Sequence, residues 1–285
     1  MDALTLSSDA LEVVVLPDVG ARLHRLRAFG QDLLRTPNRA AVHEGDPFYW
    51  GAYVMAPWGN RLEARRTRFG SRWLNLPSNF PDGSAIHGQV YARPWQVRED
   101  GLLTIHGGGD TWPWRYQVGL RLSVSGAELR IELELTNRDD EPMPAGLGIH
   151  PWFRRPVRVA IHGASVFPNN LDPGVRSQPV GGKFDLRVVR EMPDDTDATW
   201  TALSEPAVEL VWPQRAKAIM RVEAAMTFIV AASPSTLDAI AVEPQTHAPN
   251  GLRRLLAGEP GGLTLLEPHE TLSVVARLGF EQLAE

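Results

Sequence analysis

The stretch Glu128-Leu129-Arg130-Ile131-Glu132-Leu133-Glu134-Leu135-Thr136 alternates apolar and polar residues without a break. A helix would scatter these residues around its axis, whereas a strand places every second one on the same face. Leu129, Ile131, Leu133 and Leu135 therefore face a core, and Glu128, Arg130, Glu132 and Glu134 face outward. The acidic positions make a solvated face, not an array of catalytic carboxylates. Arg115 to Val124 alternates in the same way, and Gly126-Ala127 supplies the turn between the two runs. An isolated two-stranded hairpin is marginal in water, so the rest of the chain must cover its apolar face.

It contains many candidates. Twenty-three prolines and 25 glycines, spread throughout, favour numerous short strands over long helices. Strands are expected at Leu11 to Leu16, Ala21 to Arg27 and Leu33 to Arg35, with a hairpin formed by Arg66 to Phe69 and Arg72 to Leu76. Further strands are expected at Trp95 to Arg98, Leu102 to His106 and Val157 to His162. Val208 to Trp212 should pair with Ala218 to Val222, followed by Thr227 to Ala231, Ala239 to Val242 and Thr271 to Leu278. One short helix is expected over Asn250 to Leu256. Phe167 to Gly182 reads as a Pro/Gly-rich loop that could rim a site, and Met192 to Trp200 as an acidic turn. Gly107-Gly108-Gly109-Asp110 is a turn rather than a phosphate loop, because no Lys-Ser/Thr follows in register. With no repeat, linker or low-complexity tract, residues 1–285 are expected to form a single all-β domain.

Composition narrows the class of function. Hydrophobic residues at 43% provide a large core without staples. Cysteine is absent, which removes disulfides, thiolate nucleophiles and Cys-ligated zinc, and is compatible with a reducing cytosol. A net charge of −5 and a pI near 5.9 argue against nucleic acid as a partner. The N-terminal MDALTLSSDALEVVVLP lacks a basic segment followed by a long apolar one. The longest apolar-leaning run, Ala224 to Ala232, is too short to span a bilayer. The expectation is a cytoplasmic protein with no membrane partner.

Candidate chemistry is spread over five stretches. In Leu147-Gly148-Ile149-His150-Pro151-Trp152-Phe153, an imidazole at a strand end sits beside aromatic rings, an arrangement suited to a sugar, which has one apolar face. Pro57-Trp58-Gly59-Asn60-Arg61 presents a guanidinium, whose planar fork suits hydroxyl pairs. Ile86-His87-Gly88 adds a second imidazole where glycine permits close backbone approach. Val242-Glu243-Pro244-Gln245 places a carboxylate at the end of an apolar run, where desolvation raises its pKa towards the range useful to a general base. Asp197 lies in an acidic loop. Taken singly, each has an ordinary structural explanation: a packed core or strand-end His, a surface Arg, a paired Glu, a solvated turn Asp.

Their order along the chain is more specific, and it resembles that of the aldose 1-epimerase (galactose mutarotase-like) family over roughly Pro57 to Gly251. The resemblance implies a mostly antiparallel β-supersandwich with few short helices, acting on a small-molecule sugar without cofactor or metal, as a monomer or homodimer. It implies His150 as general acid and Glu243 as general base, with Asn60, Arg61, His87, Trp152 and Asp197 at sugar-binding positions. Asp194 and Asp195 share the loop with Asp197 and compete for its role. Two departures stand out. Glu63-Ala64-Arg65-Arg66 replaces a stretch that often carries glycine, and Gln89 replaces one of two glycines after the second His, a change expected to narrow or re-line the pocket.

Three rivals follow from the same residues. Arg65, Arg66, Arg154 and Arg155 offer a phosphate clamp, or a clamp for another acidic substituent, and hence a hexose-6-phosphate or acidic-sugar 1-epimerase. A non-catalytic carbohydrate-binding protein of the same fold would need no acid–base pair. A metal-dependent isomerase would use His87, His150 and Glu243, whose spacing forms no compact ligand motif.

Overall fold

The structure, a computed structural model, describes residues 2–223 and 225–284; Met1, Glu285 and Ala224, the first residue of the apolar run above, lie outside the described residues. The strands that build the site and its support are, in chain order, β1 (Leu11–Leu16), β2 (Arg22–Ala28), β3 (Ala52–Met55), β4 (Tyr116–Ser125), β5 (Glu128–Asn137) and β6 (Gly148–Arg154). They continue with β7 (Arg158–Phe167), β8 (Thr196–Trp212), β9 (Ala216–Val222), β10 (Phe228–Ser233), β11 (Ala239–Gln245) and β12 (Thr271–Gln282). All belong to one large antiparallel sheet, as the all-β expectation required. No described helix is long and apolar enough to cross a membrane.

The alternating hairpin forms in the expected register, with Leu120 opposite Leu133 and Val118 opposite Leu135. Leu129, Ile131, Leu133 and Leu135 are all buried, and each contributes about 1.5–3 kcal/mol by leaving water. β5 pairs onward with β12, β12 with β9, and β9 with the C-terminal part of β8. The N-terminal part of β8 pairs instead with β10, which leads to β11, β6 and β3. This 17-residue strand thus carries the sheet from the face built on the hairpin to the face that holds the site.

Several boundaries move for identifiable reasons. The acidic turn ends at Asp195, which takes a left-handed φ of +53°, and β8 begins at Thr196. Asp197 is therefore a strand residue opposite Ala232, not the loop residue expected. His150 sits inside β6 rather than at a strand end, and Glu243 inside β11. The ladder between these strands runs through Gly148–Gln245 and resumes at Trp152–Ala241 in the same register. The interval holds Pro151 and Pro244, which have no N–H to donate, so the pairing stays in line without regular bonds. The helix spans Gly251–Ala257 with Asn250 as its N-cap.

Beyond β5, Asp139 pins the hairpin of Arg66–Phe69 and Arg72–Asn75 to the sheet. It accepts from the Arg72 guanidinium at 2.5 Å and from the backbone N–H groups of Arg115 and Asp140. These donors, Arg72 foremost, hold its carboxyl far below the usual carboxylate range. A carboxylate depressed in the folded state stabilises it above the unfolded pKa, about 3.9, and loses that effect as pH falls towards the folded value. Asp139→Asn is expected to cost about 1.5–3 kcal/mol at neutral pH. In urea melts the gap from the parent should narrow below about pH 4.

Candidate active site

His150 and Glu243 face one another across β6 and β11, and Nε2 of the imidazole lies 3.2 Å from Oε1 of the carboxyl. They lie at a cavity of about 230 Å³, the size for a small ligand rather than a drug-sized one. Phe48, Tyr49, Phe80 and Trp152 form much of its apolar lining, and Asn60, Arg61, His87, Asp195 and Asp197 provide polar groups. All seven residues assigned from sequence therefore meet at one hollow.

The imidazole is held by its neighbours. Tyr53 stacks on it at 4.6 Å with 25° between ring planes, Trp152 lies at 5.1 Å, and His87 meets it edge-on at 4.8 Å. Trp152 is itself fixed, donating its indole N–H to the Phe48 carbonyl at 2.6 Å.

The Asn60-Arg61 and His87-Gly88 stretches lock together. The Asn60 carbonyl accepts from the His87 N–H at 3.0 Å, and Arg61 pairs with Ile86. Asn60 and His87 are both left-handed, at φ +47° and +63°. Such backbone costs about 1–3 kcal/mol per residue and persists only where the surroundings over-determine it. Gly88 continues the turn at φ +75°, where a Cβ would stand 2.0 Å from the Ala56 carbonyl oxygen. Gln89 does not re-line the pocket as expected: its N–H joins Ala56 and its side-chain oxygen accepts from Tyr116.

Arg61 bridges Asp82 at 2.6 Å and Asp197 at 3.1 Å. Asp197 in turn accepts from the Asn170 amide at 2.5 Å, and the Thr199 hydroxyl donates to the fully buried Asn170. Of the competing acids, Asp195 also lines the cavity while bonding Ser235, and Asp194 turns away to Arg155. Asp82, Asn170, Phe48, Tyr49, Tyr53 and Phe80 were not singled out from sequence. Aromatics inside polar, Pro/Gly-rich loops, as in Asp46-Pro47-Phe48-Tyr49 and Phe80-Pro81-Asp82-Gly83, were the available signal; Asn170 carried none.

Burial dominates the electrostatics. It pushes the Glu243 carboxyl well above its usual range, aided by the negative charge of Asp197 and opposed by Arg61. The second carboxyl oxygen, Oε2, is buried without a partner among the described residues. Desolvation lowers His150 to about 3, with Arg22 and Arg61 adding to the effect, and it also holds His87 well below the usual imidazole range. Although far apart in sequence, His87, His150 and Glu243 bring ligand-type atoms within 4.8 Å of one another. The spacing argument against a compact ligand set therefore fails in three dimensions.

An all-β sheet that presents a buried imidazole–carboxylate pair at a small polar and aromatic hollow defines a class of small-ligand proteins with acid–base potential. Residues 2–276 match the family described as aldose 1-epimerase, and the chain belongs to that family. The uncharacterised protein YphB of Escherichia coli K12 is 25% identical, covering 99% of this chain and all of its own length. A galactose mutarotase-like protein from Clostridium acetobutylicum has the same fold, with a TM-score of 0.84 at 18% identity over 99% of this chain and 95% of its own. So does galactose 1-epimerase from Lactobacillus acidophilus, with a TM-score of 0.80 at 19% identity over 98% and 94%.

Proposed function

We propose that this protein is an aldose 1-epimerase that interconverts the α and β anomers of a neutral hexose. The observation that carries the reading is the 3.2 Å contact of His150 with Glu243 at the cavity. Anomer exchange needs one proton delivered to the ring oxygen and another taken from the anomeric hydroxyl. A pair sharing a single proton meets that need, because one member gives while the other receives. Burial leaves that proton on Glu243 at rest; passed to His150, it is delivered to the ring oxygen as the C1–O5 bond breaks, and Glu243 is left free to accept. Glu243 takes the O1 proton, and an aldehyde results. Rotation about C1–C2 and reversal of the same transfers close the ring as the other anomer. The apolar faces of Trp152 and Phe48 suit the face of a pyranose, while Arg61, Asp197, Asn60 and His87 suit its hydroxyls.

Charge supports a neutral substrate. Arg61 is the only arginine or lysine lining the cavity among the described residues, and it already bridges two carboxylates. Asp195 and Asp197 line the same space. The proposed phosphate clamp does not assemble there: none of Arg65, Arg66, Arg154 or Arg155 lines the cavity. Arg65 pairs with Glu63, Arg66 lies over Trp73, and Arg155 bonds Asp194 and Ser233. NMR of anomer exchange across neutral, 6-phosphorylated and uronate hexoses tests the reading. Neutral hexoses are expected to react at least about tenfold more efficiently than anionic ones, since each unfavourable 1.4 kcal/mol costs that factor. Equal or faster exchange of the phosphorylated sugars would overturn the substrate assignment, and binding without acceleration would leave a carbohydrate-binding protein.

A further inference from the structure

One buried cation stands behind the site. Arg22, on β2, is fully buried, and no carboxylate oxygen lies within 4.0 Å of it among the described residues. Its two Nη groups donate to main-chain carbonyls instead, Nη1 to Trp50 at 2.7 Å and Nη2 to Pro47 at 2.7 Å and Tyr91 at 3.2 Å, while Nε is buried without a partner among the described residues. Desolvation pulls it down to about 10, so it stays charged at neutral pH. A buried charge without a close counter-ion is costly, which asks what the arrangement achieves.

The accepting carbonyls answer. Pro47 and Trp50 flank Phe48 and Tyr49, two aromatics of the cavity lining. Between those anchors the Phe48 carbonyl accepts from Trp152 and from the Tyr53 hydroxyl, at 2.6 and 3.2 Å. The Arg22 guanidinium also lies 4.6 Å over the Tyr53 ring, the ring that stacks on His150. A single side chain thus ties the aromatic loop, the Tyr91 segment and the His150 stack to β2. Lysine, with one ammonium centre, could not span these carbonyls at once, whereas the fixed fork of arginine does.

Resting on the epimerase reading above, we infer that Arg22 is a positioning residue for anomer exchange: it holds the Phe48–Tyr49 wall and the Tyr53–His150 stack in the geometry in which the sugar is seated and protonated. The groups facing His150 are Tyr53 from β3, Glu243 from β11 and His87, with Arg61 and Arg22 acting on it through their charge. The positive charge of Arg22 opposes an imidazolium and so makes His150 a stronger proton donor once charged.

Two variants separate the fork from the charge. R22K keeps the charge and loses the fork. It is expected to lose about tenfold in kcat/KM, mainly through KM, with the acid limb of its pH profile unmoved. R22M loses both. It is expected to lose about 10²-fold, with kcat falling too and the acid limb moving to higher pH as His150 becomes easier to protonate. Circular dichroism and urea melts give the folded fraction, against which rates are normalised, and R22K serves if R22M does not fold. Normalised rates and limbs equal to the parent in both variants would overturn the inference. So would losses that match the folded fraction alone. A parent protein that accelerates no sugar's exchange would instead bring down the epimerase reading, an outcome distinct from an active parent whose Arg22 variants are unchanged.

Discussion

Glu243→Gln is expected to leave a folded protein whose catalysed anomer exchange is slower by about 10²–10⁴-fold, the range a positioned acid or base supplies. Glutamine matches the shape of the carboxyl but cannot take the anomeric proton. His150→Asn should fall in the same range, because it removes the other proton site of the pair while filling part of the same space. Stability should move the opposite way for Glu243. Its folded pKa lies above the unfolded one, so the folded state holds a proton that the unfolded chain releases as pH passes about 4.3. Stability contributed by that carboxyl is therefore present below the unfolded pKa and declines as pH rises towards the folded one. Removing it should make the E243Q protein at least as stable as the parent near pH 7, and the advantage should vanish in acid. Polarimetry or NMR exchange gives the rates, and urea melts at pH 4 and 7 give the stability. Near-parental rates in both variants on every aldose tried would show that the pair does no chemistry. Lost activity together with lost stability in E243Q would point to a structural carboxyl.

Gly88→Ala is expected to destabilise the protein by about 2–5 kcal/mol and to weaken sugar binding with it. At φ +75° an L-residue incurs about 1–2 kcal/mol, and overpacking against neighbours adds about 1–3 kcal/mol. The overlap here is with backbone: the new methyl would meet the Ala56 carbonyl oxygen at 2.0 Å and its carbon at 2.4 Å. No rotamer relieves such a contact. The Ala56–Gly88 bridge must open instead, and His87 and Asn60, already left-handed, lose the contacts that hold them. The measurements are the urea midpoint and the KM for the best neutral hexose, which should rise as the midpoint falls. A variant with parental midpoint and KM would show that this turn is not under the constraint described.

Much of this architecture was legible in the order of residues. Leu129 to Leu135 displayed their buried face because strand periodicity is a property of the backbone itself, indifferent to what packs against it. The helix at Gly251–Ala257 and the hairpin at Arg66–Phe69 and Arg72–Asn75 announced themselves through turn residues. The site residues were legible only as an ordered series of short motifs. None of His150, Glu243, Arg61 or His87 carries a local signature of catalysis, and Asp197, which its acidic neighbours suggest is in a loop, stands in β8. Position in that case depended on Asp195 closing the turn with a left-handed backbone, which many residues among Asp194 to Asp197 could have done equally well by composition.

Sequence by itself determined the strand periodicity, the all-β class and the identity of the polar groups, since these follow from side-chain type and local backbone preference. Tertiary structure alone decided that an imidazole of β6 meets a carboxyl of β11 at 3.2 Å, that four arginines stay away from the hollow, and that buried Arg22 stands behind it. The reason is physical: distances between strands far apart in the chain, and the desolvation that moves Glu243 and His150 in opposite directions, exist only once the sheet has closed around them.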